Sequence, residues 1–330
     1  MSENRFIIAE IGSVHDGSIG NALKLIEVAK NCGANVVKFQ THLAQFETTQ
    51  NAPSPSFFEN ESRFDYFNRT AFTEKNWIDL YSFAKKMGLL FSSSVFSHQA
   101  VDLLMGSGVD IIKIPSGEVT NVPLLKYVAG LSVPIFLSSG MSDWKELDAA
   151  VQIFENCDLT IFQCSSIYPC PADQVGLNLI DELKQRYHRP VGLSDHSEGF
   201  AAALASIALG ASAVEKHLTY SKLMYGSDAM YASEPHSFKL MSNEIKNIWQ
   251  MLDNPIDKND LNKYSHMKLV FEKSVATSRP IKSGEEFSIE NLTFLKPGHG
   301  IKPSEIDKLL GKIALRNIGA NEIISWDDVS

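Results

Sequence analysis

Two lysines, two histidines and a set of serines stand at the ends of apolar runs in this 330-residue chain. Lys38 sits in Val36-Val37-Lys38-Phe39-Gln40, where strand alternation puts Val36, Lys38 and Gln40 on one face and Val37 and Phe39 on the other. Lys113 ends a later run. Two ammoniums at one rim suit a phosphate or a carboxylate, and Ser94, Ser116, Ser138, Ser166 and Ser194 could add hydrogen bonds to its oxygens. The competing reading of Lys38 is a stem that snorkels to the rim. His196 and His217 end two more runs. Neighbouring imidazoles there could hold a divalent ion with most positions open, which favours exchangeable Mn²⁺ or Mg²⁺ over structural Zn²⁺. Singly, each histidine is as readily a hydrogen-bonded core residue. Glu10, Glu118 and Asp228 are carboxylates near the same rim, suited to acid/base work, to sugar hydroxyls or merely to capping loops. No phosphate-loop or dinucleotide glycine motif is present.

The elements that must bring these residues together are regular. Apolar runs at Phe6–Ile11, Asn35–Gln40, Leu89–Ser94, Asp110–Pro115, Val133–Ser138, Leu159–Cys164, Pro190–Ser194 and Ser212–His217 read as strands. Helical patterns such as Asn21–Cys32, Glu74–Met87, Leu177–Tyr187 and Phe200–Leu209 lie between them. Eight such units imply an α/β fold, a (β/α)₈ TIM barrel with a sheet buried on both faces. Nearly every run ends in polar residues, including Ser93, Ser139, Ser165, Asp195, Glu215 and Lys216. A barrel gathers strand ends at its C-terminal face, where active sites of this fold lie. The long segment Thr41–Thr73 follows the second strand and reads as a substrate-covering loop. The barrel is expected over residues 1–252, a polar linker over 253–267, and a small β-rich domain over 268–330, near the lower size limit for folding alone.

Composition narrows the class. A net charge of −9 argues against a general partner in nucleic acid or anionic membrane. Cys32, Cys157, Cys164 and Cys170 form no C-x-x-C pair. The N-terminal stretch lacks a signal-peptide pattern and no run approaches about 18 apolar residues, so a cytoplasmic location is expected.

The strand ends also carry a family resemblance. Ala9-Glu10-Ile11-Gly12, Val37-Lys38-Phe39-Gln40-Thr41, Lys113-Ile114-Pro115-Ser116-Gly117-Glu118, Ser138-Ser139-Gly140-Met141, Tyr168-Pro169, Gly192-Leu193-Ser194-Asp195-His196 and Glu215-Lys216-His217-Leu218-Thr219 occur in that order. So do Pro297-Gly298-x-Gly300-Ile301 and Leu310-Gly311-Lys312. With them the chain resembles, over nearly its whole length, the sialic acid synthase family, whose products are N-acetylneuraminic, legionaminic and pseudaminic acids. The tail looks like that family's antifreeze-like (SAF, β-clip) domain.

The resemblance implies a transferase that condenses phosphoenolpyruvate with an N-acyl amino-sugar aldose in a metal-assisted reaction. It places Lys38, Ser94, Lys113, Ser116, Ser138 and Ser194 at phosphoenolpyruvate, and His196 and His217 at the metal. Glu10, Gln40, Glu118, Tyr168 and Asp228 fall around the sugar, with Glu118 favoured for the proton. It also implies a domain-swapped homodimer. Four positions depart from the family pattern. Val14 replaces a usual asparagine, Ser166 stands where some members place asparagine, Ala229 where some have histidine, and Lys296 where an arginine commonly meets the acyl group. Lysine lacks the planar fork of arginine, which leaves the aldose open. The Ser116-Gly117-Glu118 pattern leans towards neuraminic or legionaminic products. Competing readings are a Schiff-base aldolase using Lys38, Lys113 or Lys216, an octulosonate- or heptulosonate-type synthase with a phosphorylated sugar, and a non-catalytic carbohydrate- or ice-binding protein.

Overall fold

The computed structural model describes residues 5–53 and 61–330. Eight parallel strands close a barrel in chain order. They are β1 (Phe6–Gly12), β2 (Val36–Thr41), β3 (Leu90–Val95), β4 (Ile111–Ile114), β5 (Ile135–Ser138), β6 (Leu159–Cys164), β7 (Val191–Asp195) and β8 (Ala213–His217). Each expected strand is present, with ends shifted by no more than a residue or two. Helices fill the crossovers, and several start on the caps their sequences suggest. The Ser18 side chain accepts from Asn21 N, and Thr73 and Asp143 make reciprocal capping boxes. Of the expected loop Thr41–Thr73, residues 54–60 lie outside the described residues; the flanks form helices Ala44–Glu47 and Arg63–Thr70.

Alternation sorts each strand into two faces. Outward residues such as Ile7, Val37, Phe39, Phe91, Ile112, Leu137, Ile161, Leu193 and Val214 pack against the helices in the main core. Inward, Ile8, Val36, Ile111, Phe136, Phe162 and Ala213 form an apolar plug, with Phe6 and Leu90 against it. One step further along the strands, the inward positions are Glu10, Lys38, Ser92, Lys113, Ser138, Cys164, Ser194 and Glu215. All are buried. The barrel thus has a dry floor and a polar layer directly above it, as the packing of this fold requires.

The same alternation corrects part of the sequence reading. Ser93, Asp195 and Lys216 end strands but face the helices, not the axis. Lys216 Nζ donates to Asp195 Oδ2 and to Ser197 O, each at 2.8 Å, and Ser93 shares a hydrogen bond with Thr41. Lys216 is therefore removed from the candidate nucleophiles.

Gly192 shows how tightly the floor is filled. A Cβ there would lie 2.6 Å from the Phe162 ring and 3.0 Å from the Ala213 Cβ. Gly192→Ala is expected to overpack the barrel and cost about 1–3 kcal/mol, read as a lower urea midpoint at unchanged slope. An unaltered midpoint would mean that the floor is looser than this.

The chain divides into two compact units, Met1–Asn254 and Pro255–Ser330. Helix Pro235–Asp253 closes the first. The expected linker is not wholly irregular: it contains the 3₁₀ turn Asn262–Tyr264 and the start of helix Ser265–Phe271, which an ion pair from Lys268 to Glu272 supports one turn on. In the second unit β9 (Ser274–Thr277) pairs antiparallel with β10 (Leu292–Leu295), and short bridges tie the remaining loops. Val275, Ile281, Phe287, Ile301, Leu309, Ile318 and Ile324 form its own core.

Candidate active site

Strand register decides which polar side chains meet. Glu10 lies beside Lys38 and beside His217, Gln40 beside Ser94, Ser94 beside Lys113, and Ser194 beside Glu215. Lys38 Nζ is 2.8 Å from Glu10 Oε2 and 3.5 Å from Glu215 Oε1, and donates to Ser94 Oγ at 3.1 Å. Lys113 Nζ is 3.2 Å from Glu215 Oε2 and rests 3.8 Å above the centroid of the Phe162 ring. Ser194 Oγ donates to Glu215 Oε1 at 3.0 Å. Two buried ammoniums and two buried carboxylates therefore share one layer.

The two lysines are not equivalent. Lys38 donates a hydrogen bond to Ser94 besides its two ion pairs. Lys113 has its ion pair but no well-aligned hydrogen bond, although its nitrogen is buried. Buried donors without acceptors are costly. An oxyanion entering the mouth would supply those acceptors.

Charge states follow from the same geometry. Burial raises the Glu10 carboxyl, and Lys38 only partly offsets it, leaving it at about 7. Burial also raises Glu215, but the charges of Lys113 and Lys38 outweigh it and hold it down at about 2. Burial pushes the Lys113 ammonium down, with Glu215 opposing.

The two imidazoles lie together, as expected from adjacent strands. The His196 and His217 rings are 5.7 Å apart, and Tyr168 covers His196 at 4.1 Å and His217 at 6.3 Å. His196 Nδ1 lies 2.9 Å from Ser165 O, which makes that nitrogen the protonated one and leaves Nε2 its lone pair. His217 Nδ1 is buried without a hydrogen-bond partner, and burial lowers its ring to about 4, so the imidazole is neutral. Burial lowers the His196 ring too, but Cys164 and the Ser165 carbonyl outweigh it and raise it. Two adjacent imidazoles, of which His217 is neutral, fit a divalent ion that takes the Nε2 lone pair of His196 in its neutral form. Among the described residues no cluster of three or more His, Cys, Asp or Glu could hold one. The protein thus offers two donors, and the remaining positions would fall to substrate and water.

The other expected residues are distributed around this centre. Ser116 and Ser166 approach each other across Gly140, where a Cβ would sit within 2.6 Å of both hydroxyls. Ser138 is buried at the end of β5. Asp228 accepts from Ser13 N at 3.1 Å and packs on Gly12, whose φ of +53° and lack of a side chain let it approach. Glu118 is half-buried on the turn after β4 and accepts from Asn121 Nδ2 at 2.7 Å; burial raises its carboxyl. Lys296 belongs to the second unit, with its ammonium 5.1 Å from the Phe271 ring.

Residues 25–257 match the model of the NeuB family, and residues 272–330 match the SAF domain. The chain belongs to the NeuB family. An N,N'-diacetyllegionaminic acid synthase from Campylobacter jejuni is 35% identical over 96% of this chain and 98% of its own length. A pseudaminic acid synthase from the same species is 32% identical over 98% and 96%. Among solved structures, the N-acetylneuraminic acid synthetase of Leptospira borgpetersenii, crystallised with citrate, superposes with a TM-score of 0.72 at 28% identity, covering 81% of this chain and 92% of that one. The NeuB relatives are thus synthases of sialic-acid-like products.

Two residues of this candidate site carry more weight in the structure than in the sequence. Glu215 ended a strand like many others, yet it is the counter-charge for both lysines. Cys164 lies inward beside His196, 3.9 Å from Nδ1. Inward parity on β6 and β8 was the available signal for both. Among the described residues no helix is long and apolar enough to cross a membrane.

Proposed function

We propose that this NeuB-family protein condenses phosphoenolpyruvate with an N-acyl amino-sugar aldose, giving a nonulosonic acid and inorganic phosphate. The carrying observation is Lys113, a buried ammonium with open donors, in one layer with Lys38 and serine hydroxyls, while two adjacent imidazoles, His196 and His217, stand beside them. Lys38, Lys113, Ser94, Ser116, Ser138, Ser166 and Ser194 would orient the anion and balance charge on the departing phosphate. His196 and His217 would hold a divalent ion, Mn²⁺ or Mg²⁺, whose contribution is to polarise the aldehyde. Gln40, Tyr168, Glu10 and Asp228 would meet the sugar.

The methylene carbon of phosphoenolpyruvate bonds to the aldehyde carbon, and the aldehyde oxygen becomes a hydroxyl. Water adds at carbon 2 of the former phosphoenolpyruvate, and phosphate leaves by carbon–oxygen cleavage. Glu118, raised by burial, is suited to hold the proton exchanged at the hydroxyl or the water. The family resemblance adds a homodimer in which the SAF unit of one subunit brings Lys296 to the partner's mouth.

The aldolase reading retains one favourable observation, since burial lowers Lys113 as an amine nucleophile requires. One experiment separates the two. Phosphate release is followed with N-acetylmannosamine and with 2,4-diacetamido-2,4,6-trideoxyhexoses, using phosphoenolpyruvate labelled with oxygen-18 at the bridge. The synthase sends the label into phosphate. Label kept in the keto product excludes the route, and borohydride trapping of Lys113 with pyruvate establishes the aldolase.

A further inference from the structure

His42 has no part in the chemistry above, yet its ring is held on every side. Phe67 stacks on it at 3.7 Å between centroids and Phe96 at 4.2 Å, both nearly parallel. Its Nδ1 lies 2.8 Å from Glu47 Oε1 and its Nε2 lies 3.0 Å from Gln40 Oε1. Gln40 in turn donates through Nε2 to Glu10 Oε1 at 2.8 Å, and the other oxygen of Glu10 meets Lys38. A connected chain therefore runs from Glu47 through His42, Gln40 and Glu10 to Lys38 on the barrel axis.

Counting donors and acceptors along that chain sets its state. Carboxylate and amide oxygens only accept, so both ring nitrogens carry hydrogen in this arrangement and the ring is cationic. Its surroundings suit a cation. Glu47 presents one oxygen to it and has the other buried without a hydrogen-bond partner among the described residues, and two aromatic faces enclose it. A neutral ring would have to accept from Gln40, which turns the amide over. Its oxygen would then face Glu10, and Glu10 would have to bring a proton to satisfy it. In the structure the Gln40 oxygen faces the ring and its NH₂ faces Glu10, which is the first arrangement.

We propose that His42 is a positioning residue. As an imidazolium it locks the Gln40 amide with its NH₂ towards Glu10, and so aims the two side chains that meet the acceptor sugar. This rests on the synthase reading, and two measurements on the full chain keep the two apart.

The first needs no substrate. In protein labelled with ¹⁵N-histidine, the ring signals that vanish in His42→Phe belong to His42. Both nitrogens are expected to be of the protonated type. A bare nitrogen overturns the proposal whatever the enzyme does. The second is kinetic. His42→Phe keeps an aromatic ring in the stack and loses both hydrogen bonds. The aldose KM should rise about tenfold, the weight of one hydrogen bond, with the phosphoenolpyruvate KM unchanged. An equal rise in both KM values, or in neither, overturns it. Should that variant fail to fold, Glu47→Gln withdraws the counter-charge at constant shape, and it should neutralise the same ring signals and split the KM values in the same way. Wild-type protein that shows the cationic ring but releases no phosphate sinks the synthase reading and leaves the positioning geometry standing.

Discussion

Glu215→Ala is expected to lower stability by about 3–5 kcal/mol and to abolish phosphate release, because it strands two ammoniums in a buried layer with only Glu10 to balance them. Urea unfolding provides the measurement. The double variant Lys113→Met with Glu215→Leu should regain most of that loss without regaining activity, since uncharged side chains of similar volume remove the need for compensation. A single variant within about 1 kcal/mol of wild type would contradict the compensating role. The pH dependence has a definite sign. Glu215 is held at about 2 in the fold against an ordinary 4.5. An acid lowered on folding stabilises above its unfolded value and loses that contribution as pH falls towards the folded one. Wild-type stability should therefore carry this contribution at pH 4.5 and above and shed it on further acidification. Glu215→Ala should lack that part of the slope.

Chelation is expected to have a comparably large effect on turnover and little on the fold. EDTA should reduce phosphate release by about a thousandfold or more, the several kcal/mol that charge stabilisation at a polarised aldehyde supplies. Mn²⁺ or Mg²⁺ should restore it in the wild type and fail to restore it in His217→Ala. Binding of Mn²⁺, followed by its electron spin resonance signal, provides a readout independent of turnover, and His217→Ala should weaken it. Undiminished activity in EDTA would remove the metal from the proposal and favour Lys113 as a covalent nucleophile.

Much of the fold was legible because a buried parallel strand is a short apolar run and its crossover helix has a different period. Eight alternations, from Phe6–Gly12 to Ala213–His217, leave few closed architectures. The polar strand ends could be placed at one rim on the same grounds, and His196 and His217 do stand together. Helix Ser265–Phe271 was missed because it is short and none of its residues is buried. Amphipathic periodicity has nothing to report in such a segment.

By itself, the sequence determined the strand count, the inward parity of Lys38 and Gln40, and the family motifs in their order, all of which are properties of local spacing. It could not determine partners. Lys113 meets Glu215 across 102 positions of sequence only because the sheet closes, bringing β8 round beside β1 and across from β4. Lys216, one residue further on, faces the helices and is bound to Asp195 instead. The roles of Glu215 and His42 likewise come from what surrounds them. Closure and register set those neighbours, and both are tertiary properties that no single segment contains.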